Sequence, residues 1–452
     1  MKKLNIRSIK NKKFISIVGI LQSLIIFSIA YNTSFILRPF IDEIISLSAA
    51  TNFFQNLNFS GPKNTMYETP YNPNLTTGPL SAFGSYIGWS ITKNIYYTRI
   101  FNFIYLYIIQ IIFSFLISKQ FKLQSSYVII FSSFAITSVP WWYSSLYSLG
   151  DLTCTIIFIN SLFLYKKYKL FSIFIMSLSI FYGRILLLIP FISFYLYRIY
   201  KNQKLQYIFR EFVVFLIPPL GWVLLAFLNS KNFNLYEYIK YYIEIYYTTN
   251  PSIAKPEENS GFFRTLFNIK DSDLRFWNPA DFLRVLISPI IFILLLNLQN
   301  AFKNSFIKDL KNEIMFSFLF FYLAFWLLSP TKSIIYSQIF TIIVLYCTLL
   351  LFVENVEGNT FYQFIAFILI SLYFSSIFII ISGIFLFSLV RYFKINVDIR
   401  NLLIVFLILS QVNALVETFE KDRFEDINYN SCKKDLRTIT CVEDYLETSY
   451  FE

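Results

Sequence analysis

Histidine is absent from this 452-residue chain, and only four cysteines are present. The cysteines lie far apart in sequence except for Cys432 and Cys441. Catalytic triads that use histidine, and zinc sites built from histidine and clustered cysteine, are therefore excluded. If the protein catalyses a reaction, its acid or base must be a carboxylate, a lysine, an arginine or a tyrosine.

Charged residues are also few, at 15% of the chain, whereas 56% of the residues are hydrophobic and 21% are aromatic. The mean hydropathy of +0.55 is too high for an ordinary soluble domain of this size. Apolar runs long enough to cross the ~30 Å hydrocarbon core of a bilayer as helices begin at residues 14–37 and recur almost to the C-terminus. The sequence therefore predicts an all-α, polytopic membrane protein.

The distribution of lysine and arginine predicts how the chain is oriented in the membrane. Residues 1–13 contain five lysines and one arginine, so the positive-inside rule places the N-terminus in the cytoplasm. Further basic clusters fall on alternate connections, at residues 119–122, 166–169, 198–210 and 303–311. The formal net charge of +12 therefore reflects membrane topology, and we expect no nucleic-acid partner. Three long or unusual segments then lie outside the membrane: residues 38–97, 140–151 and 231–280.

The same rule predicts about thirteen spans, within a range of 11–13, and an external C-terminal tail. Cys432 and Cys441 in that tail form a small disulfide loop or remain two thiols; both readings are open. We divide the chain into a catalytic transmembrane module, an outer loop, C-terminal transmembrane helices and a hydrophilic tail, at residues 1–229, 230–280, 281–416 and 417–452.

Two adjacent acids, Asp42 and Glu43, follow the first apolar run at the point where the chain leaves the lipid. Charges at this depth are tolerated where they face water or a cavity. After them, apolar residues recur at helical spacing with polar residues between them, which predicts an amphipathic helix lying on the outer interface. That helix would hold the acid pair at membrane level.

Several of these features, in this order, resemble the GT-C fold glycosyltransferases that use lipid-linked sugar donors, in the branch of protein mannosyltransferases and aminoarabinose transferases. The matching features extend over roughly residues 1–210. They are the acid pair after helix one, the interfacial helix, Gly78-Pro79-Leu80, Gly88 followed by Arg99, and Leu149-Gly150-Asp151 at the start of the fourth span. Relatives often carry a Lys-Pro-Pro-Leu sequence where this chain has Thr77-Gly78-Pro79-Leu80, so a donor-contacting lysine is missing and the phosphate must be bound by another group.

The resemblance implies that Asp42 is the base that deprotonates the acceptor, and a carboxylate beside a low-dielectric surface has a raised proton affinity that suits this role. Glu43 would orient Asp42 or cap the interfacial helix. Asp151 would be a second site acid, or simply the N-cap of its helix. Arg99 would pin the outer end of the second span or pair with the acids, and structural pairing is the favoured reading.

Arg184 and Lys332 are candidates to bind the donor phosphate, since both are cations at the outer side. Each of them is also interpretable as an anchor whose side chain reaches the interface, and for Lys332 that interpretation is slightly favoured. Tyr336, one helical turn later, would donate a hydrogen bond or belong to the interfacial aromatic belt.

The leading hypothesis is an inverting glycosyltransferase in the bacterial cytoplasmic membrane, with its site on the periplasmic or outer face. It would move a sugar from a polyprenyl phosphate to an envelope glycan, lipid or protein. A transporter or flippase of lipid-linked glycans and a polysaccharide polymerase or ligase are the alternatives. No cofactor is expected, although two carboxylates would be able to hold Mg²⁺ or Mn²⁺.

Overall fold

The fold was analysed in a computed structural model. It describes residues 6–36, 41–62, 67–72, 75, 77–121, 127–137, 145–146, 151–201, 205–230, 233–240, 381–385, 388, 392 and 399–420. The predictions for Lys332, Tyr336, Cys432 and Cys441, and most of the outer loop 231–280, lie outside these residues. The predicted total number of spans and the division into four units stay predictions for the same reason.

The described part of the chain is built from helices, as the sequence predicts. Ten of them are labelled here in chain order: α1 (Ile6–Ile36), α2 (Ile41–Asn56), α3 (Phe83–Thr92), α4 (Ile95–Phe121), α5 (Val128–Ile136), α6 (Asp151–Leu164), α7 (Lys169–Phe181), α8 (Leu188–Tyr200), α9 (Leu205–Asn229) and α10 (Ile399–Glu420). A 3₁₀ turn at Pro79–Ala82 precedes α3, and another at Ile185–Leu187 leads into α8.

Three described stretches are long and apolar enough to cross a membrane: Lys13–Ile36, Ile95–Gln120 and Gln206–Asn229. Large apolar side chains are exposed along α1 and α9, among them Leu24 and Leu220. Exposed apolar faces of this length are stable in lipid and not in water. The protein is therefore an integral membrane protein.

Close packing of small residues joins α3 to α4. Gly84 and Gly88, four residues apart, lie against the backbone of α4 at Asn102 and Thr98. A Cβ on Gly84 would lie 2.7 Å from the Asn102 Cα, so a side chain there would push the helices apart. This small-xxx-small pattern is a common way for helices to approach closely in membranes.

Polar side chains connect the transmembrane helices inside the apolar layer. Gln22 of α1 donates to the Gln411 side chain of α10 over 2.6 Å, and Gln411 donates to the hydroxyl of Thr137 and to the carbonyl of Ser133. Asn160 of α6 donates to Gln110 of α4 over 3.0 Å. Such interhelical hydrogen bonds satisfy groups that lipid cannot.

Helix α9 contains Pro218 and Pro219, which cannot donate backbone hydrogen bonds. The carbonyl of Phe215, four residues before Pro219, accepts a 2.6 Å hydrogen bond from the Ser177 hydroxyl of α7. The neighbouring helix thus replaces a bond that proline removes. Nearer the start of α9, Glu211 forms a buried ion pair with Arg198 and accepts hydrogen bonds from Tyr165 and Tyr195.

Candidate functional site

The acid pair lies in the first turn of α2, where the sequence predicts a helix, and Glu43 is buried in an ion pair. Arg99 Nε and Nη2 donate to the two carboxylate oxygens of Glu43, each over 2.7 Å. Arg99 Nη1 donates to the Ser34 carbonyl near the end of α1, also over 2.7 Å. Arg99 is 0% exposed. One guanidinium therefore ties together the end of α1 and the beginnings of α2 and α4, which fixes the backbone at Asp42.

A second polar residue on the same face of α4 is also buried and hydrogen-bonded. Asn102 follows Arg99 by three residues, a spacing that places both side chains on one side of a helix. Its Nδ2 donates to the carbonyl of Ser145 over 3.0 Å, in the segment that leads to α6. Asp151 is the first residue of α6. Helix α4 also packs against α6, so it contacts the helix that carries the second acid as well as binding Glu43 beside the first.

The segment Thr77–Ala82 pairs with the turn between α7 and α8. Gly78 N–H donates to the Gly183 carbonyl over 2.6 Å, and Leu80 N–H donates to the Tyr182 carbonyl over 2.8 Å. A Cβ on Gly78 would collide with the Tyr182 carbonyl and lie 2.8 Å from the Gly183 nitrogen. Glycine at this position therefore permits the close approach of the two segments.

The same segment packs against both acid-bearing helices. The 3₁₀ turn Pro79–Ala82 contacts α2 on one side and α6 on the other. Gly183, at the paired turn, lies against Cys154, which is three residues beyond Asp151 in α6. Helix α2, the first turn of α6 and the α7–α8 turn therefore meet around Thr77–Ala82, and α2 contacts the α7–α8 turn through Phe53 in its C-terminal half.

Arg184 lies in this pairing and is 8% exposed. Its backbone forms an antiparallel bridge with Thr77, and its Nη1 donates to the Thr77 hydroxyl over 2.9 Å. The guanidinium carries five N–H donors on a planar group, which suits it to phosphate oxygens. The structure thus puts a cation beside the segment that contacts α2, which carries Asp42, and α6, which begins with Asp151.

An aromatic cluster under the outer loop stabilises this region. The ring of Trp222 in α9 lies 5.0 Å from Tyr182, 5.1 Å from Tyr71, 5.0 Å from Phe59 and 6.0 Å from Phe53, measured between centroids. Burial raises the pKa of Tyr71 and of Tyr182 above the usual tyrosine value, so both hydroxyls remain protonated donors at neutral pH. The Tyr71 hydroxyl donates to the Leu57 carbonyl over 2.7 Å, which closes the loop on the end of α2.

Helix α2 exists as predicted, but it is enclosed more fully than an interfacial helix with one wet face. Ser46 and Thr51, two of the polar residues between the apolar positions of this helix, are buried, whereas Gln55 and Asn56 at its end are exposed. The Thr51 hydroxyl donates to the Leu47 carbonyl over 2.8 Å, so the polar group is satisfied within the helix. The reason is tertiary: α3, the Pro79–Ala82 turn and the aromatic cluster cover this helix.

The sequence-predicted residues are placed as follows. Arg99 pairs with an acid, as favoured, and its partner is Glu43. The two separate roles predicted for Glu43, orienting Asp42 or capping α2, stay predictions. The structure describes the backbones of Asp42 and Asp151 at the starts of α2 and α6, and Arg184 at the turn that faces the Thr77–Ala82 segment.

Sequence reasoning missed Thr77 and Trp222. Thr77 precedes Gly78-Pro79, a motif that the sequence marks as a shaped turn, yet its contact with Arg184 joins residues 107 positions apart. Trp222 follows Pro218-Pro219 within an apolar run, and no local pattern distinguishes it from a lipid-facing aromatic.

No protein-family model and no curated protein matches the chain. Among solved structures, the chain is similar to ArnT from Cupriavidus metallidurans in the apo state, with 11% identity, a TM-score of 0.48, and 88% of this chain and 77% of that chain covered. The structure of the same protein bound to undecaprenyl phosphate gives 13% identity and a TM-score of 0.49, with the same coverage.

Proposed function

We propose that the protein is an inverting glycosyltransferase that moves a sugar from a polyprenyl-phosphate carrier to an envelope glycan, lipid or protein. The site would lie on the outer face of the bacterial cytoplasmic membrane. The observation that carries this proposal is the pairing of the Arg184 turn with Thr77–Ala82, because that segment also packs against the helices that carry the candidate acids. The motif order in residues 1–210 supports the same reading.

The chemistry needs one base and one cation. Asp42 would accept a proton as the acceptor's hydroxyl or amine attacks the anomeric carbon of the donor sugar. The bond between that carbon and the phosphate oxygen breaks as the new glycosidic bond forms, so a single displacement inverts the configuration. Arg184 would stabilise the negative charge that develops on the departing polyprenyl phosphate.

Glu43, Arg99 and Asp151 have different parts in this proposal. Glu43 is committed to Arg99, so its contribution is to hold the first turn of α2 in place. Asp151 begins a helix that contacts the same segment, which suits a second acid that binds the acceptor or the sugar. Asp151→Asn is tested in the same transfer assay as Asp42→Asn, and the affinity of this variant for the acceptor is measured separately.

The decisive experiment uses Asp42→Asn, which removes the negative charge and the base with almost no change in size. Purified full-length protein in nanodiscs, supplied with a polyprenyl-phosphate sugar and envelope extract, should lose transfer by about 10²-fold or more while still binding the donor. Glu68→Gln is the matched control, since Glu68 is an exposed acid of the same outer loop. Full activity of Asp42→Asn would reject the base.

The same purified protein, reconstituted in sealed vesicles, separates the transporter alternative. A flippase would move a fluorescent lipid-linked sugar between leaflets without forming a new glycosidic bond. We expect transfer to the acceptor and no dependence of lipid movement on Asp42. Movement without transfer in the wild-type protein would replace the proposed function.

A further inference from the structure

Backbone hydrogen bonds, in addition to the side-chain hydrogen bond, hold Arg184 next to Thr77. The N–H of Arg184 donates to the Ser179 carbonyl over 2.8 Å, and its carbonyl accepts from Leu187 N–H over 3.0 Å. Gly78 and Leu80 fix the preceding turn residues from the other segment. The position of the Arg184 backbone is therefore fixed through both its N–H and its carbonyl. These bonds do not fix the direction of its long side chain.

The Thr77 hydroxyl contributes to that direction by accepting a hydrogen bond from Nη1. An arginine side chain has several rotatable bonds, and the freedom it keeps must be lost whenever it binds an anion. A hydrogen bond to one terminal nitrogen removes part of that freedom before the ligand arrives. The guanidinium is planar, so fixing one nitrogen also restricts where the other N–H groups point.

We infer that Thr77 is a positioning residue that orients the Arg184 guanidinium toward the leaving phosphate of a polyprenyl-phosphate donor. This inference rests on the proposed function. The cation that binds the phosphate would thus come from the α7–α8 turn, and the Thr77–Leu80 loop would contribute a hydroxyl that aims it. The phosphate-binding element is composite, made of two segments 107 residues apart in sequence.

The test compares Thr77→Val, Thr77→Ser and Arg184→Lys in purified full-length protein. Valine keeps the shape of threonine without the hydroxyl, and serine keeps the hydroxyl. The probe is undecaprenyl phosphate, with undecaprenol as the lipid that lacks the phosphate. We expect Thr77→Val to weaken binding of undecaprenyl phosphate roughly tenfold, to leave undecaprenol binding unchanged, and to be rescued largely by Thr77→Ser.

Thr92→Val is the matched control for removal of a threonine hydroxyl. The Thr92 hydroxyl donates to the Gly88 carbonyl over 2.7 Å within α3 and has no contact with Arg184. We expect this variant to bind undecaprenyl phosphate normally. If Thr77→Val lowers the melting temperature of the protein, Thr77→Ala against Thr77→Ser makes the same comparison with a smaller side chain.

A double-mutant cycle distinguishes positioning from a direct contact. In the Arg184→Lys background, Thr77→Val should cause little further loss, because the group that Thr77 orients is already altered. Additive losses would overturn the inference and indicate that Thr77 acts on its own. Unchanged binding in Thr77→Val, with weakened binding in Arg184→Lys, would overturn it as well and leave the proposed function standing. If neither the wild type nor Arg184→Lys shows phosphate-dependent binding, the phosphate assignment of the proposed function fails instead.

Discussion

At the scale of single residues, Arg99 shows how a charged group is stabilised in this apolar protein. Three of its N–H groups are used on Glu43 and on the Ser34 carbonyl, and the guanidinium also lies 5.6 Å from the centre of the Tyr96 ring. A buried charge that is fully paired is tolerated, whereas one that loses its partner is not. The pair therefore affects stability most when one partner is removed, because the other charge is then buried without a partner.

We expect Arg99→Met to lower the free energy of unfolding by about 3–5 kcal/mol, because it leaves the Glu43 carboxylate buried without its guanidinium partner. Denaturant unfolding of the purified protein in a fixed detergent measures this change. The double variant Arg99→Met with Glu43→Gln should recover part of the loss, since neither charge is then stranded. If the loss of stability in the double variant equals the sum of the losses in Arg99→Met and Glu43→Gln, the two side chains are not coupled.

Arg198→Met is the matched control at the opposite end of the bundle. Arg198 lies about 15 Å along α8 from Leu188, beyond the turn that carries Arg184. It too forms a buried pair, with Glu211. We expect a comparable loss of stability from Arg198→Met, with donor binding retained in the folded fraction. Arg99→Met should reduce transfer in the folded fraction as well, because Arg99 fixes the turn that contains Asp42.

The residue scale also marks the limit of what the sequence predicts. The alternation of basic clusters, the helix after the first span and the pairing of Arg99 with an acid follow from composition and spacing. The choice of Glu43 as the partner does not, since Asp42 and Glu43 differ by one position and only the rotation of α2 selects between them. The contact of Thr77 with Arg184 depends on how two distant turns pack, which no local pattern encodes.

At the scale of elements, the α7–α8 turn is packed so closely that it has little space for a larger side chain at Gly183. A Cβ on Gly183 would collide with the Ser179 carbonyl and lie 2.5 Å from Cys154 Sγ. The Ser179 carbonyl also accepts the Arg184 N–H, so any shift there moves Arg184 directly. Tyr182 of the same turn packs against Trp222 of α9, which connects the turn to that helix.

For Gly183→Ala, the loss in binding free energy for undecaprenyl phosphate should therefore exceed the loss in the free energy of unfolding. The turn must move away from α6 to accept the methyl group, and a shift of this kind costs roughly 1–3 kcal/mol. Binding to the lipid probe and thermal unfolding, measured on the same sample, separate the two effects.

Gly221→Ala is the control for this variant, since its Cβ would meet only the end of the Tyr182 side chain, at 3.2 Å. Cys154→Ala added to Gly183→Ala should relieve little, because the collision with the Ser179 carbonyl remains. Normal binding in Gly183→Ala would show that the pairing of the two segments is more tolerant than the geometry indicates.

At the scale of the whole molecule, the described part of the C-terminal half returns to the N-terminal helices through α10. This helix packs on α1, and its Gln411 contacts residues of α1 and α5 in the apolar layer. The sequence predicts a late apolar span in this region, but not its neighbour, because hydropathy identifies spans without ordering them in space.

Gln411→Leu should destabilise the protein by about 1 kcal/mol, within the range measured for hydrogen bonds between membrane helices. The cause is the loss of the partners of Gln22 and Thr137. Adding Gln22→Leu should restore part of the stability, since the stranded amide is then removed. Leu409→Ile on the exposed face of α10 is the control. Unfolding in mixed micelles provides the measurement, and an unchanged Gln411→Leu protein would show that this polar contact contributes nothing.

The link between Gln22 and Gln411 also has a consequence for biosynthesis. The two residues are separated by 389 positions, so at 5–20 residues per second the ribosome needs about 20 to 80 seconds to supply the partner of an amide that has already been made. During that interval Gln22 must be solvated by water, by lipid head groups or by the insertion machinery. Release of the first helix into lipid before that time leaves the amide without this partner, at a cost of about 1 kcal/mol that is recovered when α10 arrives.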